Sequence, residues 1–358
     1  MPSNRAAMPP LFPTTVVGSM PRPQFVRDLL HPETRRKLGD AEFTRRLDAA
    51  IAFVVALQEA TGLDVISDGE WRRLSYIGVI ADICEGFEVS FRGQQPWTAV
   101  VGKVAVRAPG LVAREAVFVR DHSRCEAKVA LPSPYLLGQR MWDSTASVGA
   151  YRSREDFMRA LVPVLRGELQ AIRSAGLKRV QFDDPHLCLF VDERVRQQYA
   201  DPKHEMDLCV ELLNEILAGF DDLETSIHLC RRNKARQGWV GEGGYGPILE
   251  HLGRLKVKQY MLEFSIPVAG DFAILRDLPA DKGIGLGCVD CRGEHVDAPE
   301  EIVARVEKAL QHVKPERITL HPDCGFAPGS AADIPIDEAY QKLCNEVKAA
   351  EVLRGRYT

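Results

Sequence analysis

The sequence lacks the features that mark several large classes of protein. No apolar run approaches the ~18 residues that a membrane-spanning helix needs, and the first residues, MPSNRAAMPPLFP, contain no apolar segment of a secretory signal. Charge of neither sign dominates: 46 basic and 50 acidic residues give a net charge of -4, which argues against general nucleic-acid binding. These absences predict a soluble, cytoplasmic protein that binds neither membranes nor nucleic acids.

The cysteines and glycines also lack familiar arrangements. Nine cysteines, an odd number, are dispersed through 358 residues, which is typical of reduced intracellular thiols and not of a disulfide framework. The glycine-rich pieces at 238–246 and 283–287 do not follow a strand and open a helix as nucleotide-binding loops do. We interpret the first as a mobile loop that could close over a substrate and the second as a tightly packed strand. Short arginine pairs are interpreted as solvated helix faces; they begin at positions 35, 45, 72 and 231.

What the sequence does contain is an alternation of short apolar runs with amphipathic, helix-like segments. Such alternation indicates a parallel sheet, and eight units predict closure into a (β/α)8 TIM barrel, a fold that suits 358 residues. An open doubly wound sheet is the structural alternative. The predicted strands are 14–19, 63–70, 127–134, 178–185, 225–230, 259–264, 283–290 and 317–325, and the predicted helices lie near 35–60, 151–175, 205–219, 298–313 and 333–353.

Residues 85–125 depart from this alternation. Their β-type pieces are separated by Gly and Pro, which predicts a hairpin-rich insertion ahead of the third barrel strand. No low-complexity linker or composition change marks a boundary, so we expect residues 1–358 to form one domain with this segment inserted.

Nearly every predicted strand ends in side chains capable of chemistry. In a TIM barrel the carboxyl ends of the strands surround the active site, so these side chains would meet at one mouth. Polar loops would also give polar strand ends, which is the less informative explanation. The residues concerned include Ser19, Glu70, Ser133, Asp183, His228, Cys230, Glu263, Asp290 and Cys324.

The stretch TSIHLCRRN places His228 and Cys230 two residues apart at the end of one run. Residues i and i+2 of a strand point to the same face, so an imidazole and a thiol emerge side by side. Glu263 and Cys324, at the ends of two later runs, complete a nitrogen, sulfur and oxygen donor set that favours zinc over magnesium or calcium. Because these donors are far apart in sequence, unlike those of structural zinc knuckles, Glu263 could yield its position to an incoming thiol. A zinc-bound thiol ionises readily and becomes a nucleophile.

Six motifs together resemble the catalytic barrel of the cobalamin-independent methionine synthase family, which includes short single-barrel relatives. They are FPTTVVGSMPRP, GLDVISDGEWRR, VQFDDP, HLC, LEF and HPDCG, and they occur in the family's order from about Pro13 to about Phe326. The resemblance implies a barrel enzyme that binds zinc and transfers a methyl group to the thiol of homocysteine. It implies that the zinc ligands are His228, Cys230, Glu263 and Cys324.

The same resemblance assigns substrate-binding residues. Ser19 and Glu70 match positions that hold the amino-acid part of homocysteine, and Asp183 matches a carboxylate that pairs with its ammonium group. Judged from the residues alone, Asp183 and Asp184 could instead cap a helix, and Ser19 could be a turn hydroxyl bonded to backbone.

The seventh-strand loop departs from the family pattern. Arg292 stands where the family has a histidine proposed to assist proton transfer, and His295, three residues later, is the candidate substitute. An arginine does not exchange a proton near neutral pH, but it binds carboxylate, sulfonate or phosphate groups. His321, in place of the family's asparagine, is predicted to lie beside the metal.

These observations favour a zinc-dependent methyl or alkyl transferase whose partners are a small-molecule thiol and a donor such as methylfolate, a methylcorrinoid or an epoxide. The alternative is an epoxyalkane:coenzyme M transferase-like enzyme, for which Arg292 would hold the sulfonate. A uroporphyrinogen-decarboxylase-like enzyme leaves the four metal donors unexplained, and a non-catalytic zinc-binding protein leaves the other polar strand ends without a task. The sequence leaves open the donor, the thiol, a corrinoid partner and homo-oligomerisation.

Overall fold

The computed structural model describes residues 11–92, 95–327 and 334–357, and within them it contains nine strands and thirteen α-helices. None of these helices combines the length and the apolar composition needed to cross a membrane. The strands are β1 (Val65–Ile66), β2 (Cys84–Arg92), β3 (Gln95–Val106), β4 (Glu126–Pro132), β5 (Arg179–Asp183), β6 (Glu224–Leu229), β7 (Gln259–Glu263), β8 (Gly283–Val289) and β9 (Ile318–Pro322). The helices are α1 (Gln24–Leu30), α2 (Pro32–Leu38), α3 (Asp40–Thr61), α4 (Val79–Ile83), α5 (Leu111–His122), α6 (Pro134–Met141), α7 (Arg154–Ser174), α8 (Pro185–Leu189), α9 (Glu193–Arg196), α10 (Pro202–Leu217), α11 (Leu249–Arg254), α12 (Pro299–Leu310) and α13 (Ile336–Tyr357).

Seven strands form one parallel sheet in the order β1-β4-β5-β6-β7-β8-β9. The segment at Thr14 and Thr15 joins its two edges: Thr14 bridges to Leu320 of β9 and Thr15 to Val65 of β1, both in parallel. Two backbone hydrogen bonds fix this segment, from Thr15 N to Leu320 O at 3.0 Å and from Val65 N to Thr14 O at 3.1 Å. The segment acts as the first strand and closes the barrel, which confirms the predicted fold.

The predicted strand 14–19 corresponds to the bridging segment at Thr14 and Thr15, and each of the other seven predicted strands overlaps an observed one. The predicted helices correspond to α3, α7, α10, α12 and α13. Residue 333, where the last helix was expected to begin, lies outside the described residues. The insertion is an antiparallel hairpin of β2 and β3, but its final part is the helix α5, so the prediction of hairpins throughout 85–125 is wrong there. The helix forms because Val112, Ala113, Ala116 and Val119 recur at helical spacing and are all buried.

Two helix caps order the loops that leave the barrel at its carboxyl end. Ser133 Oγ accepts from Leu136 N at 3.0 Å at the start of α6, and Asp184 Oδ1 accepts from Leu187 N at 2.9 Å at the start of α8. Ser133 also donates to the Asp184 carboxylate at 2.5 Å, which joins the two neighbouring loops. Asp184 therefore serves as a helix cap, and its neighbour Asp183 is left to face the barrel mouth.

Candidate metal centre

An imidazole and two thiols meet at the carboxyl end of the barrel. His228 lies in β6, Cys230 follows that strand directly, and Cys324 follows β9. One ligand atom of each residue lies within 4.8 Å of the others, although Cys324 is 94 residues beyond Cys230 in sequence. The three side chains are buried, with 2%, 6% and 8% exposure respectively. The predicted same-face arrangement of His228 and Cys230 is thus observed.

The chemistry of this cluster fits a borderline-soft metal ion. Neither ring nitrogen of His228 has a hydrogen-bond partner among the residues that the structure describes, although both are buried. Leaving a buried polar atom without a partner costs free energy that a metal bond would recover. A hydrogen bond from the Cys324 thiol, together with the neighbouring imidazole, lowers the pKa of Cys230 well below its usual value. The cluster therefore presents a nitrogen donor and a readily ionised sulfur donor to one point in space.

Glu263, the fourth predicted ligand, lies at the end of β7 and is fully buried, but it is not one of the three residues grouped within 4.8 Å. Its carboxylate accepts hydrogen bonds from Arg231 N at 2.8 Å and from Arg231 Nη1 at 3.2 Å. A further hydrogen bond comes from Arg292 Nη2. In this structure the carboxylate is therefore engaged by two arginines beside the cluster.

Arg231 was not singled out from the sequence, where its arginine pair was interpreted as a solvated helix face. That interpretation is wrong, because the side chain of Arg231 is 0% exposed. Its guanidinium donates to Gly243 O at 2.7 Å and to the hydroxyl of buried Tyr245 at 3.1 Å. These contacts anchor the glycine-rich loop 238–246, which was predicted to be mobile, against the mouth of the barrel.

Arg292 is also buried and does not present a free cation to the mouth. Besides Glu263, its guanidinium donates to Asp323 Oδ2 at 3.2 Å. Asp323 Oδ1 in turn accepts from the backbone N–H groups of Phe264 and Ser265, each at 3.0 Å. Two carboxylates thus neutralise Arg292, and the predicted role of holding a substrate anion finds no support in these contacts.

His295 is not brought to the cluster. Its side chain is 69% exposed, and Nε2 lies 3.0 Å from Glu301 Oε2. Glu301 also accepts from Ala298 N at 2.7 Å at the start of α12. His321, by contrast, is buried in β9 with its ring centroid 6.4 Å from that of His228, so it lies beside the cluster.

Two glycines allow close contacts between the VGS, DGE and HPDCG motifs: Gly18 lies against Glu70, and Gly325 lies against Ser19. A Cβ added to Gly18 would lie 2.6 Å from Glu70 Oε1, and one added to Gly325 would lie 2.2 Å from Ser19 Oγ. Both glycines therefore leave room for a predicted substrate-binding side chain to pack directly against backbone. Ser19 Oγ also accepts from Ala327 N at 3.3 Å.

Glu70 and Asp183 are two buried carboxyl groups close to each other, and the charge of Cys230 acts on Asp183. Burial raises the pKa of Glu70 to about 7, and the charge of Asp183 adds to this effect. Burial also raises the pKa of Asp183, which His228 opposes. Within the described part of the chain, no hydrogen bond to the Glu70 carboxylate is formed, whereas Asp183 accepts one from Gln181 at 2.7 Å. Such a pair of carboxyl groups suits a ligand that carries an ammonium group.

A buried amide and a buried lysine support Asp183 from inside the barrel. Gln181 donates to Asp183 Oδ1, and its own oxygen accepts from Lys128 Nζ at 2.9 Å. Burial lowers the pKa of Lys128 to about 7, while Asp183 raises it. These two residues escaped the sequence analysis, although a lysine within the apolar strand EAKVALP was the available signal.

Comparison with known proteins identifies the family. The model of the family "Cobalamin-independent synthase, Catalytic domain" matches residues 12–352. The chain belongs to this family. The match spans nearly the whole sequence, and the resemblance drawn from the six motifs is confirmed.

Named proteins that are similar to this chain are consistent with the family assignment. The methionine synthase of Sulfurisphaera tokodaii is 28% identical over 354 residues, covering 96% of this chain and 93% of that protein. The methionine synthase of Saccharolobus solfataricus is 27% identical, with 96% of each chain covered. The structure of a B12-independent methionine synthase from Shewanella sp. W3-18-1, in complex with selenomethionine, has a TM-score of 0.77 at 23% identity, covering 97% and 98% of the two chains. A putative vitamin-B12-independent methionine synthase from Listeria monocytogenes has a TM-score of 0.73 at 23% identity, covering 96% and 98%. The two solved structures share the barrel fold.

Proposed function

We propose that this member of the cobalamin-independent synthase family is a zinc-dependent methyltransferase that methylates the sulfur of homocysteine or a closely similar thiol. The observation that carries the proposal is the meeting of His228, Cys230 and Cys324 close to the carboxyl group of Asp183, which is itself close to the carboxyl group of Glu70. The first set suits a metal that binds a thiol, and the second suits the ammonium group of an amino acid. Homocysteine carries both groups.

In this proposal zinc is held by His228, Cys230 and Cys324, since one imidazole and two thiols match the donors that zinc prefers. When bound, zinc would lower the pKa of a coordinated substrate thiol so that it is ionised near neutral pH. Arg231 and Arg292 hold the carboxylate of Glu263 to one side. This arrangement supports a fourth ligand position that Glu263 can fill or leave to the substrate sulfur.

The remaining residues of the mouth orient the amino acid. Asp183, fixed by its hydrogen bond from Gln181, and Glu70 receive the ammonium group. In this scheme the Ser19 hydroxyl, which packs against Gly325, bonds the other end of the amino acid. Fixing the thiol at one place and direction replaces an encounter in solution with an intramolecular approach, which is a large part of the acceleration that positioning provides. The exposed side chain of His295 has no part in this scheme.

The epoxyalkane:coenzyme M transferase alternative relied on Arg292 as the site for a sulfonate. Arg292 is paired with Glu263 and Asp323, and the named relatives are methionine synthases. Neither finding favours this alternative, so homocysteine is the acceptor that we propose. All nine cysteines are free thiols, which supports action in the reducing cytoplasm.

The test is a metal analysis paired with a methyl-transfer assay. Cys230→Ser and Cys324→Ser should each lose bound zinc and methylation of homocysteine, because serine is a poor zinc ligand. Cys84→Ser is the matched control, since Cys84 is equally buried but lies in the inserted hairpin. Full zinc content and full turnover in either cluster variant would show that the proposed ligands are wrong.

A further inference from the structure

A cavity of about 450 Å³ lies inside the barrel at its amino end, away from the metal centre. Its walls include the first residues of several strands, among them Val65 of β1, Gln259 of β7 and Gly283 of β8. The interior of a TIM barrel is ordinarily filled by layers of side chains, and small-molecule pockets measure about 300 to 1,000 Å³. The cavity is therefore a candidate ligand site that is separate from the mouth holding Cys230.

The glycine-rich strand β8 leaves this space open. It carries glycine at three alternate positions, Gly283, Gly285 and Gly287, which share one face of the strand. A Cβ added to Gly287 would lie 2.5 Å from Asp323 Oδ1, so a neighbouring side chain already fills that place. A Cβ added to Gly283 would have Gln259 Cγ, at 3.4 Å, as its nearest neighbour. The missing side chain at Gly283 therefore leaves room at the amino end of the barrel.

Lys128 of β4 brings a buried cation to the wall of this cavity. Its side chain is 5% exposed, and Nζ donates to Gln181 Oε1 at 2.9 Å and to Val16 O. Both acceptors are neutral, and Lys128 forms no ion pair within the part of the chain that the structure describes. An ammonium group has three N–H donors, so one remains for a ligand. A buried charge without an opposite charge is costly, and an anion in the cavity would relieve that cost.

The wall as a whole carries a surplus of positive charge, since four cations and two carboxylates line it. Three of these cations are each paired with a carboxylate: Lys258 with Glu224, Lys282 with Asp281 and Arg179 with Glu126. The remaining cation is Lys128, which also lies deepest in the barrel. The charge of the cavity therefore favours an anionic ligand over a neutral or cationic one.

Hydroxyl groups add further polar contacts. Ser226 lines the cavity and lies two residues before His228 on β6, so the two share the inward face of that strand. Thr319 has the same relation to His321 on β9. The Thr319 hydroxyl accepts from Gln259 Nε2 at 2.8 Å and keeps its own hydrogen for a further acceptor. The wall thus suits a ligand with polar groups besides its charge.

We propose that this cavity binds a small organic anion, with the negative group on Lys128 Nζ and a second polar group on the hydroxyls of Ser226 and Thr319. A hydrogen bond between an ammonium and an anion in a partly desolvated site is among the stronger polar contacts in proteins. The anion site is distinct from the metal centre, and its existence does not depend on the proposed function.

Two hydrogen bonds connect the cavity to the mouth of the barrel. Lys128 Nζ donates to Gln181 Oε1 at 2.9 Å, and Gln181 Nε2 donates to Asp183 Oδ1 at 2.7 Å. The amide is held in this orientation because an ammonium only donates and a carboxylate only accepts. Occupancy of the cavity should therefore change the affinity for homocysteine, and homocysteine should change the affinity for the anion by the same factor. This coupling, unlike the anion site itself, rests on the proposed function.

The probe is 6-hydroxyhexanoate, and its matched neutral analogue is hexane-1,6-diol. The full chain, loaded with zinc or freed of metal by a chelator, would be titrated with each compound by isothermal titration calorimetry at constant ionic strength. One 6-hydroxyhexanoate should bind per chain in both forms, and the diol should bind at least about tenfold more weakly. Lys128→Met should weaken binding of the anion about ten- to a hundredfold, as expected for the loss of a hydrogen bond to a charged group.

Gly283→Val is a second variant that leaves Lys128 in place. It adds a side chain to the cavity wall at a position where a Cβ makes only ordinary contacts, and it should also weaken binding of 6-hydroxyhexanoate at least about tenfold while zinc content is unchanged. The control is Lys178→Gln, which removes an exposed positive charge directly before β5 and should not alter binding. No binding of 6-hydroxyhexanoate to the unaltered chain, or unchanged affinity in Lys128→Met or Gly283→Val, would overturn the proposal.

Zinc content and homocysteine binding report separately on the proposed function. Binding of 6-hydroxyhexanoate to a chain that takes up no zinc would refute the proposed function and leave the anion site standing. Binding of zinc and homocysteine without binding of 6-hydroxyhexanoate would refute the anion site alone. Equal affinity for 6-hydroxyhexanoate with and without bound homocysteine would refute the coupling.

Discussion

Two buried glutamates, Glu70 and Glu115, differ in their partners, so we expect their replacement by glutamine to affect the stability of the fold differently. The comparison tests whether the mouth of the barrel binds its ligand at a cost in stability. Burial raises the pKa of both Glu70 and Glu115 to about 7. Glu115 Oε2 accepts from Arg73 Nη2 at 2.7 Å. No residue that the structure describes donates a hydrogen bond to the Glu70 side chain, so its charge, when present, is uncompensated by a direct partner. Glu70→Gln should therefore stabilise the fold above neutral pH.

The direction and size of the expected change in stability follow from the linkage between proton binding and folding. Because the pKa of Glu70 in the folded state is raised from 4.5 to about 7, the folded state binds a proton that the unfolded state has released between these values. The stability of the unaltered chain consequently falls as pH rises from about 4.5 to about 7. The full shift corresponds to about 3 kcal/mol at pH 8 and less than about 1 kcal/mol at pH 5. For a chain of 358 residues, about 3 kcal/mol is a rise in Tm of about 4 °C.

Thermal unfolding followed by circular dichroism at pH 5 and pH 8 measures this difference. Glu115→Gln is the comparison, because it leaves the buried guanidinium of Arg73 without its carboxylate, a loss of about 3 to 5 kcal/mol. This loss offsets the gain of about 3 kcal/mol from removing the buried charge at pH 8, so the Tm of Glu115→Gln should not rise. A lower Tm for Glu70→Gln at pH 8, or an equal rise at both pH values, would refute the idea that Glu70 is a buried carboxylate without a direct partner. The same variant should bind homocysteine more weakly, since one acceptor for the ammonium group has lost its charge.

Three further substitutions have defined outcomes. Asp183→Asn should raise the KM for homocysteine at least about tenfold, the loss expected for one charged hydrogen bond. The KM for 4-mercaptobutanoate, which lacks the ammonium group, should not change. Equal effects on both thiols would contradict the role of Asp183 in binding the ammonium group. Gly325→Ala would bring a methyl group within 2.2 Å of Ser19 Oγ, so we expect a loss of about 1–3 kcal/mol by denaturant unfolding and a raised KM, and a variant of normal KM would show that the hydroxyl is not needed. Arg292→Gln should cost about 3 to 5 kcal/mol because it leaves Glu263 with one arginine fewer, and unaltered stability in urea would contradict the buried ion pair.

The barrel and the metal cluster were predictable because both depend on local patterns. Eight apolar runs that alternate with helix-like segments specify the strands, and the period of two places His228 and Cys230 on one face. Cys324 joins them because it follows β9, the strand that pairs with Thr14 and closes the barrel. The order of the strands in a barrel determines which strand ends are neighbours, so the position of these residues in the sequence predicts their position at the mouth.

The ion pairs were not predictable in the same way. A sequence shows that Arg231 is charged but not that the carboxylate of Glu263 and the carbonyl oxygens of two loops surround it, so the residue resembles a surface arginine until the barrel is assembled. Glu263 illustrates the same limit, since its strand position was correct while its engagement by Arg231 and Arg292 depends on side chains from other loops. The helix α5 was not predicted because Pro109 and Gly110, directly before it, are typical of a hairpin turn.

The central claim is that His228, Cys230 and Cys324 hold one zinc ion and leave a place for the sulfur of the substrate. Zinc-edge X-ray absorption spectroscopy of the zinc-loaded chain tests it most directly. We predict two sulfur neighbours without substrate and three after homocysteine is added, with a nitrogen neighbour in both spectra. A spectrum without sulfur neighbours, or one that homocysteine leaves unchanged, would contradict the account.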